Sequence, residues 1–340
     1  MKITVQRAQE LLCHAKNKQI LVVGDLMMDR FVYGSVSRIS PEAPVPVVHV
    51  SHEKAMPGGA CNVASNLLAL GGKAAMAGIV GQDVVGAELK GQLRESGVAL
   101  NAVIDTENHP TCVKTRIVAE RQQVVRVDRE EYLRVSASEM ARFCQLIETE
   151  IAGADGVIIE DYGKGSVQQA VVDTVLAAAA TRGIPVGYDP KDDHILKMEG
   201  VSVVTPNRKE AFGSAGVAEG KPCNNPLEDE ALLEVGRILD AKWKARNTLI
   251  TLGPHGMLLF NEGANPQHIP TRAREVFDVS GAGDTVIATY VLALACGATY
   301  LEAAELANFA AGVVVGKLGT ATCTQQELID YMTAHKEEIR

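Results

Sequence analysis

The run Asp278-Val279-Ser280-Gly281-Ala282-Gly283-Asp284-Thr285 carries the strongest chemical signal in the chain. Three small residues, Gly281, Ala282 and Gly283, precede an apolar stretch from Val286 to Ala295 that reads as a helix. The first N–H groups of a helix lack partners within it, and the helix dipole adds partial positive charge there. Glycine lets the backbone approach an anion closely, so this turn makes a cradle for phosphoryl oxygens. Asp284 is out of place beside a phosphate unless it does chemistry. Accepting the proton of an attacking hydroxyl is the task that suits it. The alternative is an acidic residue that only stabilises a helix start.

A second glycine cluster, Pro57-Gly58-Gly59-Ala60-Cys61-Asn62, also leads into helical sequence. Asn62 falls near the first turn, and its amide can both donate to and accept from sugar hydroxyls. A plain turn and helix start is the competing reading. The sequence holds no Gly-x4-Gly-Lys-Ser/Thr loop and no Gly-x-Gly-x-x-Gly after a strand, which argues against P-loop and dinucleotide sites.

The elements that must position these residues alternate short β-branched runs with helical stretches, the pattern of a parallel sheet wrapped by helices. Candidate strands are Ile20–Gly24, Ala74–Val80, Gly156–Glu160, Pro185–Asp189, Ser202–Thr205 and Thr248–Leu252. Most are apolar throughout, as strands buried on both faces are. Helices are expected over Gly59–Leu70, Val84–Ser96, Ser138–Ala152, Val167–Thr181, Leu227–Lys242, Gly281–Cys296 and Tyr300–Lys317. The segments Phe31–Val50 and Thr111–Arg129 have strand composition with no helix between their strands. They are expected to meet as a discontinuous β lid (31–50 and 111–129) beside an α/β domain of residues 1–30, 51–110 and 130–340. Edge strands of the main sheet are the other reading.

With 33 basic and 42 acidic side chains, the net charge of −9 disfavours nucleic acid as a partner. Apolar residues make up 46%, enough for a large core. Seven cysteines without a Cys-x-x-Cys pair fit a reducing compartment, and His49 and His52 read as an exposed strand face rather than a metal pair. No stretch reaches the ~18 apolar residues of a membrane span, and the polar start (Gln6, Arg7, Gln9, Glu10) is unlike a signal peptide. A cytoplasmic protein is expected.

Taken together, the Gly-Gly-x-x-Asn segment at Gly58–Asn62 and the Asp-x-x-Gly-Ala-Gly-Asp segment at Asp278–Asp284 resemble the two signatures of the PfkB/ribokinase family of carbohydrate kinases. The resemblance implies a ribokinase-like α/β fold: a mostly parallel central sheet, helices on both faces and a small β-sheet lid. It implies ATP and magnesium as cofactors, with Asp284 as base and Gly281, Ala282 and Gly283 on the phosphates. Asn207-Arg208-Lys209-Glu210 resembles the family's Asn-x-x-Glu motif, with Glu210 reaching magnesium through water. Arg208 and Lys209 depart from that motif's usual character. Thr251, Gly253 and Gly256 resemble the loop along the nucleotide, and Asn308 the adenine pocket. By the same resemblance a monovalent cation, potassium, would lie near Asp278 and Ser280.

The run Ser37-Arg38-Ile39-Ser40-Pro41-Glu42-Ala43-Pro44-Val45-Pro46 is similar to the heptose 7-phosphate kinase branch, as are Glu160–Gly165 and Tyr188–Lys191. That branch makes the 1,7-bisphosphate on the route to ADP-heptose. The implied substrate carries a phosphate far from the reacting hydroxyl, with Arg38, Arg116, Arg126, Lys164 and Lys191 as candidate cations for it. Asp25, Asp29, Gly58, Gly59 and Asn62 would serve the sugar. Bifunctional relatives continue into a nucleotidyltransferase domain, whereas this sequence ends at Arg340, so a stand-alone kinase is expected. Exposed lid edges point to a homodimer. Kinase action on another sugar, sugar phosphate or nucleoside stays open, as does a sensor that has lost catalysis.

Overall fold

The computed structural model describes residues 3–120, 122–191, 194, 196–261 and 263–335, so Arg340 lies outside the described residues. Thirteen strands and ten α-helices alternate along them. In chain order they are α1 (Val5–Ala15), β1 (Gln19–Gly24), β2 (Leu26–Ile39), β3 (Pro46–Gly59), α2 (Ala60–Ala69), β4 (Lys73–Gly81), α3 (Val84–Glu95) and β5 (Ala99–Thr106). Then come β6 (Cys112–Ala119), β7 (Gln122–Arg129), α4 (Ala137–Ile151), β8 (Gly156–Glu160), α5 (Gln169–Arg182), β9 (Val186–Asp189), β10 (Val203–Val204) and α6 (Arg208–Ala215). The rest are α7 (Glu230–Trp243), β11 (Asn247–Thr251), β12 (Met257–Asn261), β13 (Gln267–Ile269), α8 (Ala282–Ala295), α9 (Tyr300–Val314) and α10 (Gln325–Ala334).

Nine strands form one sheet in the order β13-β12-β11-β10-β9-β8-β1-β4-β5. Pairing is parallel from β5 through β11, and β12 runs antiparallel to both its neighbours. The two faces of β1 show why its sequence is apolar throughout. Ile20 and Val22 pack into a core with α1, α2, α8 and α9, while Leu21 and Val23 pack with α4, α5 and α7 on the other side. Burial of both faces supplies the driving force that a half-solvated strand lacks.

Chain order reverses at β1, with β4 on one side and β8 on the other. Open α/β sheets bind ligands beyond the carboxyl ends of the strands at such a point. Gly24, Glu160, Asp189 and Thr251 end the strands β1, β8, β9 and β11 there.

A second sheet, β3-β2-β6-β7, leaves the first where β1 runs on into β2. Its long hairpin extends past the segment expected from composition, from Leu26 through Gly59, because the pairing continues through Met27↔Gly58 to Leu26↔Gly59. Strand alternation divides its side chains between two faces. Asp29, Phe31, Lys114, Arg116, Arg126 and Asp128 share one face, as the pairs Asp29↔Lys114, Phe31↔Arg116, Lys114↔Asp128 and Arg116↔Arg126 require. Val50, Val125 and Val127 lie on the opposite face and are 46%, 45% and 54% exposed. His49 and His52 are both exposed, and His52 stacks on Tyr33 at 4.6 Å.

Among the described residues no helix is long and apolar enough to cross a membrane. All seven cysteines are free thiols.

Candidate active site

Helices α2 and α8 meet at the carboxyl end of the sheet, and their first turns share hydrogen bonds. The Asn62 amide donates to Asp284 Oδ2 at 2.6 Å, and the Thr285 hydroxyl donates to Asn66 Oδ1 at 3.0 Å. The Tyr162 hydroxyl donates to Asp284 Oδ1 at 3.0 Å from the loop after β8. The structure thus brings the two glycine-bearing turns together. Burial pushes the Asp284 carboxyl above its ordinary value, the Asp29 charge adds to this, and the Asn62 and Tyr162 donors oppose it. A carboxylate lifted toward neutrality accepts a proton more readily.

Gly281 caps α8 with φ 76°, and a Cβ there would stand 2.6 Å from Asn62 Nδ2 and 2.8 Å from Thr320 Cγ2. Only glycine allows this approach at this dihedral. Ala282 N–H turns back onto the Val279 carbonyl at 3.2 Å. Of the expected cradle of amides, those of Gly281 and Gly283 make no hydrogen bond among the described residues, and Gly283 is exposed. Gly58 and Gly59 close the β2–β3 hairpin against the site: a side chain on Gly58 would collide with the Asp29 carboxylate.

Asp29 is buried and ion-paired with Arg116, whose guanidinium also lies 5.2 Å from the centre of the Phe31 ring. Lys114, one pleat along from Arg116, stands 5.5 Å from the centre of the Tyr162 ring. It was not nominated from the sequence, although its spacing of two from Arg116 places both cations on one strand face. Asp25 differs from expectation. Its carboxylate is filled by backbone N–H groups of Tyr162 (3.0 Å), Lys164 (2.9 Å) and Ser166 (2.9 Å), so it holds a loop and offers little to a sugar.

Of the other nominated cations, Arg126 lies opposite Arg116 on the same lid face. Lys164 pairs with Glu130 at 2.8 Å, and Arg126 chelates Asp128 through three contacts of 2.8–3.0 Å at the sheet edge. Lys191 follows β9, its Cγ 3.5 Å from where a Gly163 Cβ would stand. Arg38 is corrected. It is exposed near the far end of β2, nine residues beyond Asp29, or roughly 30 Å along an extended strand. The proline-rich run after it makes the bend that joins β2 to β3 at the tip of the hairpin.

After β10, Asn207 caps α6 and exchanges two hydrogen bonds with Glu210, at 2.9 and 3.0 Å. Arg208, the departure in that motif, is drawn away to Glu219, Asp229 and the Phe212 ring. Asn207 bridges to Thr251, which places Gly253 and Gly256 beside it. Asn308 is buried and donates to the Pro270 carbonyl at 2.7 Å, so its amide anchors the chain after β13 instead of opening into a pocket. Asp278 accepts from the N–H of Ser280 (2.9 Å) and Gly319 (3.1 Å). Burial would raise it, but these bonds and the nearby Arg116 charge hold it below its ordinary value.

Carboxylate oxygens of Glu160, Asp189 and Asp284 lie within 4.8 Å of one another. Glu160 is 1% exposed and its Oε2 has no hydrogen-bond partner among the described residues. Burial, together with the neighbouring carboxylates, holds Glu160 and Asp189 well above the usual carboxylate range, and Glu210 adds to the effect on Asp189. Crowded oxygens with one left unpartnered suit a hard divalent cation. The sequence signal for both was an acid as the last residue of an otherwise uncharged strand.

Residues 17–327 match the model of the pfkB family carbohydrate kinases, and the chain belongs to that family. The bifunctional protein HldE of Gluconacetobacter diazotrophicus is 43% identical over 316 residues, which is 93% of this chain and 64% of that protein. This chain therefore spans less than two thirds of that relative. Ribokinase of Arabidopsis thaliana, solved with ribose and ATP, has a TM-score of 0.67 at 19% identity over 93% of this chain and 98% of that one. Escherichia coli phosphofructokinase-2 in complex with potassium gives 0.72 at 18% over 93% and 99%. The fold is ribokinase-like.

Proposed function

We propose that the chain transfers the γ-phosphoryl group of ATP to the anomeric hydroxyl of a sugar phosphate, with D-glycero-D-manno-heptose 7-phosphate as the substrate. The observation that carries this reading is the placement of Asp284. It lies beside the free amides of the α8 turn and faces a sheet surface bearing Lys114 and Arg116. A hydroxyl between base and cradle loses its proton to Asp284 while its oxygen attacks the γ-phosphorus and ADP departs. The Gly281 and Gly283 amides stabilise the charge that develops. The second sheet acts as a lid whose Lys114 and Arg116 hold the distal phosphate, and its closure excludes water.

Glu160 and Asp189, with Glu210 through water, would hold magnesium, which neutralises phosphate charge when bound. Thr251, Gly253 and Gly256 would lie along the nucleotide. Val50, Val125 and Val127, on the outer face of the lid, are the surface for a second copy of this chain. Heptose 7-phosphate, fructose 6-phosphate, ribose and adenosine, each offered with ATP, test the reading. Turnover is expected with heptose 7-phosphate, and faster turnover of an unphosphorylated acceptor would overturn it. The same assay with potassium replaced by tetramethylammonium decides the cation beside Asp278 and Ser280, since an unchanged rate dismisses it.

Gly281→Ala is expected to cost about 1–2 kcal/mol in backbone strain. Its methyl group must also displace Asn62 from Asp284. A lowered melting temperature and turnover reduced at least about tenfold are expected together.

A further inference from the structure

The loop that follows β8 is clamped at both ends. Asp25 receives three of its backbone N–H groups, at residues 162, 164 and 166. Asp161 receives the N–H of Gly163 at 2.8 Å, the Tyr188 hydroxyl at 3.1 Å and His194 Nδ1 at 2.6 Å. Two buried carboxylates thus fix five residues that form neither helix nor strand, at the mouth of the sheet. The product of this fixing is one side chain. Tyr162 is aimed at Asp284 Oδ1, opposite the Asn62 amide on Oδ2.

We propose that Tyr162 is a positioning residue for phosphoryl transfer, holding the plane of the Asp284 carboxylate toward the acceptor hydroxyl through the loop that Asp25 and Asp161 clamp. This rests on reading Asp284 as the base. One donor on each oxygen fixes the carboxylate plane and leaves each oxygen a further lone pair for the substrate. The phenol is suited to that task because an O–H donates to a carboxylate, which can only accept. Glu160 and Asp189 face it from the strand ends and Lys114 from the second sheet. Descent of that sheet therefore bears on the ring that orients the base. Asp25, expected to meet the sugar, acts here through Tyr162.

Tyr162→Phe keeps the ring and removes only the donor. With heptose 7-phosphate and ATP, kcat is expected to fall about tenfold while both KM values stay within about twofold. The melting temperature should hold. In an Asp284→Asn background the same change should alter the residual rate by less than about twofold, because its effect runs through the carboxylate. An unchanged kcat, or equal losses in both backgrounds, would overturn the proposal. Near-normal turnover of Asp284→Asn by itself would instead remove the base reading beneath it.

Discussion

Asp284→Asn should lower kcat about a thousandfold with little change in the KM for ATP. The substitution preserves shape and the Asn62 and Tyr162 neighbours, and removes the ability to take a proton. An interaction made only in the transition state lowers kcat and kcat/KM together and spares ground-state binding. The wild-type pH profile makes the same point. The folded site raises Asp284 above its ordinary value, so activity is lost as pH falls through that raised value, earlier than for an exposed aspartate. Near-normal turnover of the variant would end the base assignment.

The double change Lys114→Ala with Arg116→Ala should raise the KM for heptose 7-phosphate by about two orders of magnitude. A charge-assisted hydrogen bond contributes ~1.5–3 kcal/mol, and one tenfold step is ~1.4 kcal/mol. Arg116 also neutralises Asp29, whose side chain is 8% exposed, so removing it leaves a buried carboxylate unpaired. That cost appears as lowered stability, whereas loss of the phosphate contact appears only with phosphorylated acceptors. Comparing heptose with heptose 7-phosphate separates the two, and an equal rise for both sugars would exclude a phosphate role for these cations.

Much of the main sheet was legible because burial on both faces writes unbroken apolar runs such as Ile20–Gly24 and Gly156–Glu160. Helices α1 and α10, absent from the expected set, have polar sequences around a narrow buried stripe, Ala8-Leu11-Leu12-Ala15 in the first and Leu328-Met332 in the second. Asn62 and Asp284 were readable because glycine turns announce helix starts. Tyr162 was not, and Glu160 and Asp189 showed only as acids ending expected strands, since their roles come from which strand ends meet in three dimensions. Arg38 shows the converse: its charge and the lid bearing it were visible, but not how far along β2 it stands from Asp29. Asn308 likewise shows that an amide on a helix does not declare which neighbour it serves.

The β2–β3 hairpin has its two roots at Leu26 and Gly59, with Asp29 three residues up the first arm, and the second root runs directly into the helix bearing Asn62. A single cantilever thus ends in both the acid paired with Arg116 and the amide that touches Asp284. The tip, near Arg38, is tied to Asp29 and to Asn62 through two covalent attachments at once. A substitution far out on that arm that tilts the hairpin is therefore expected to change turnover without touching the pocket.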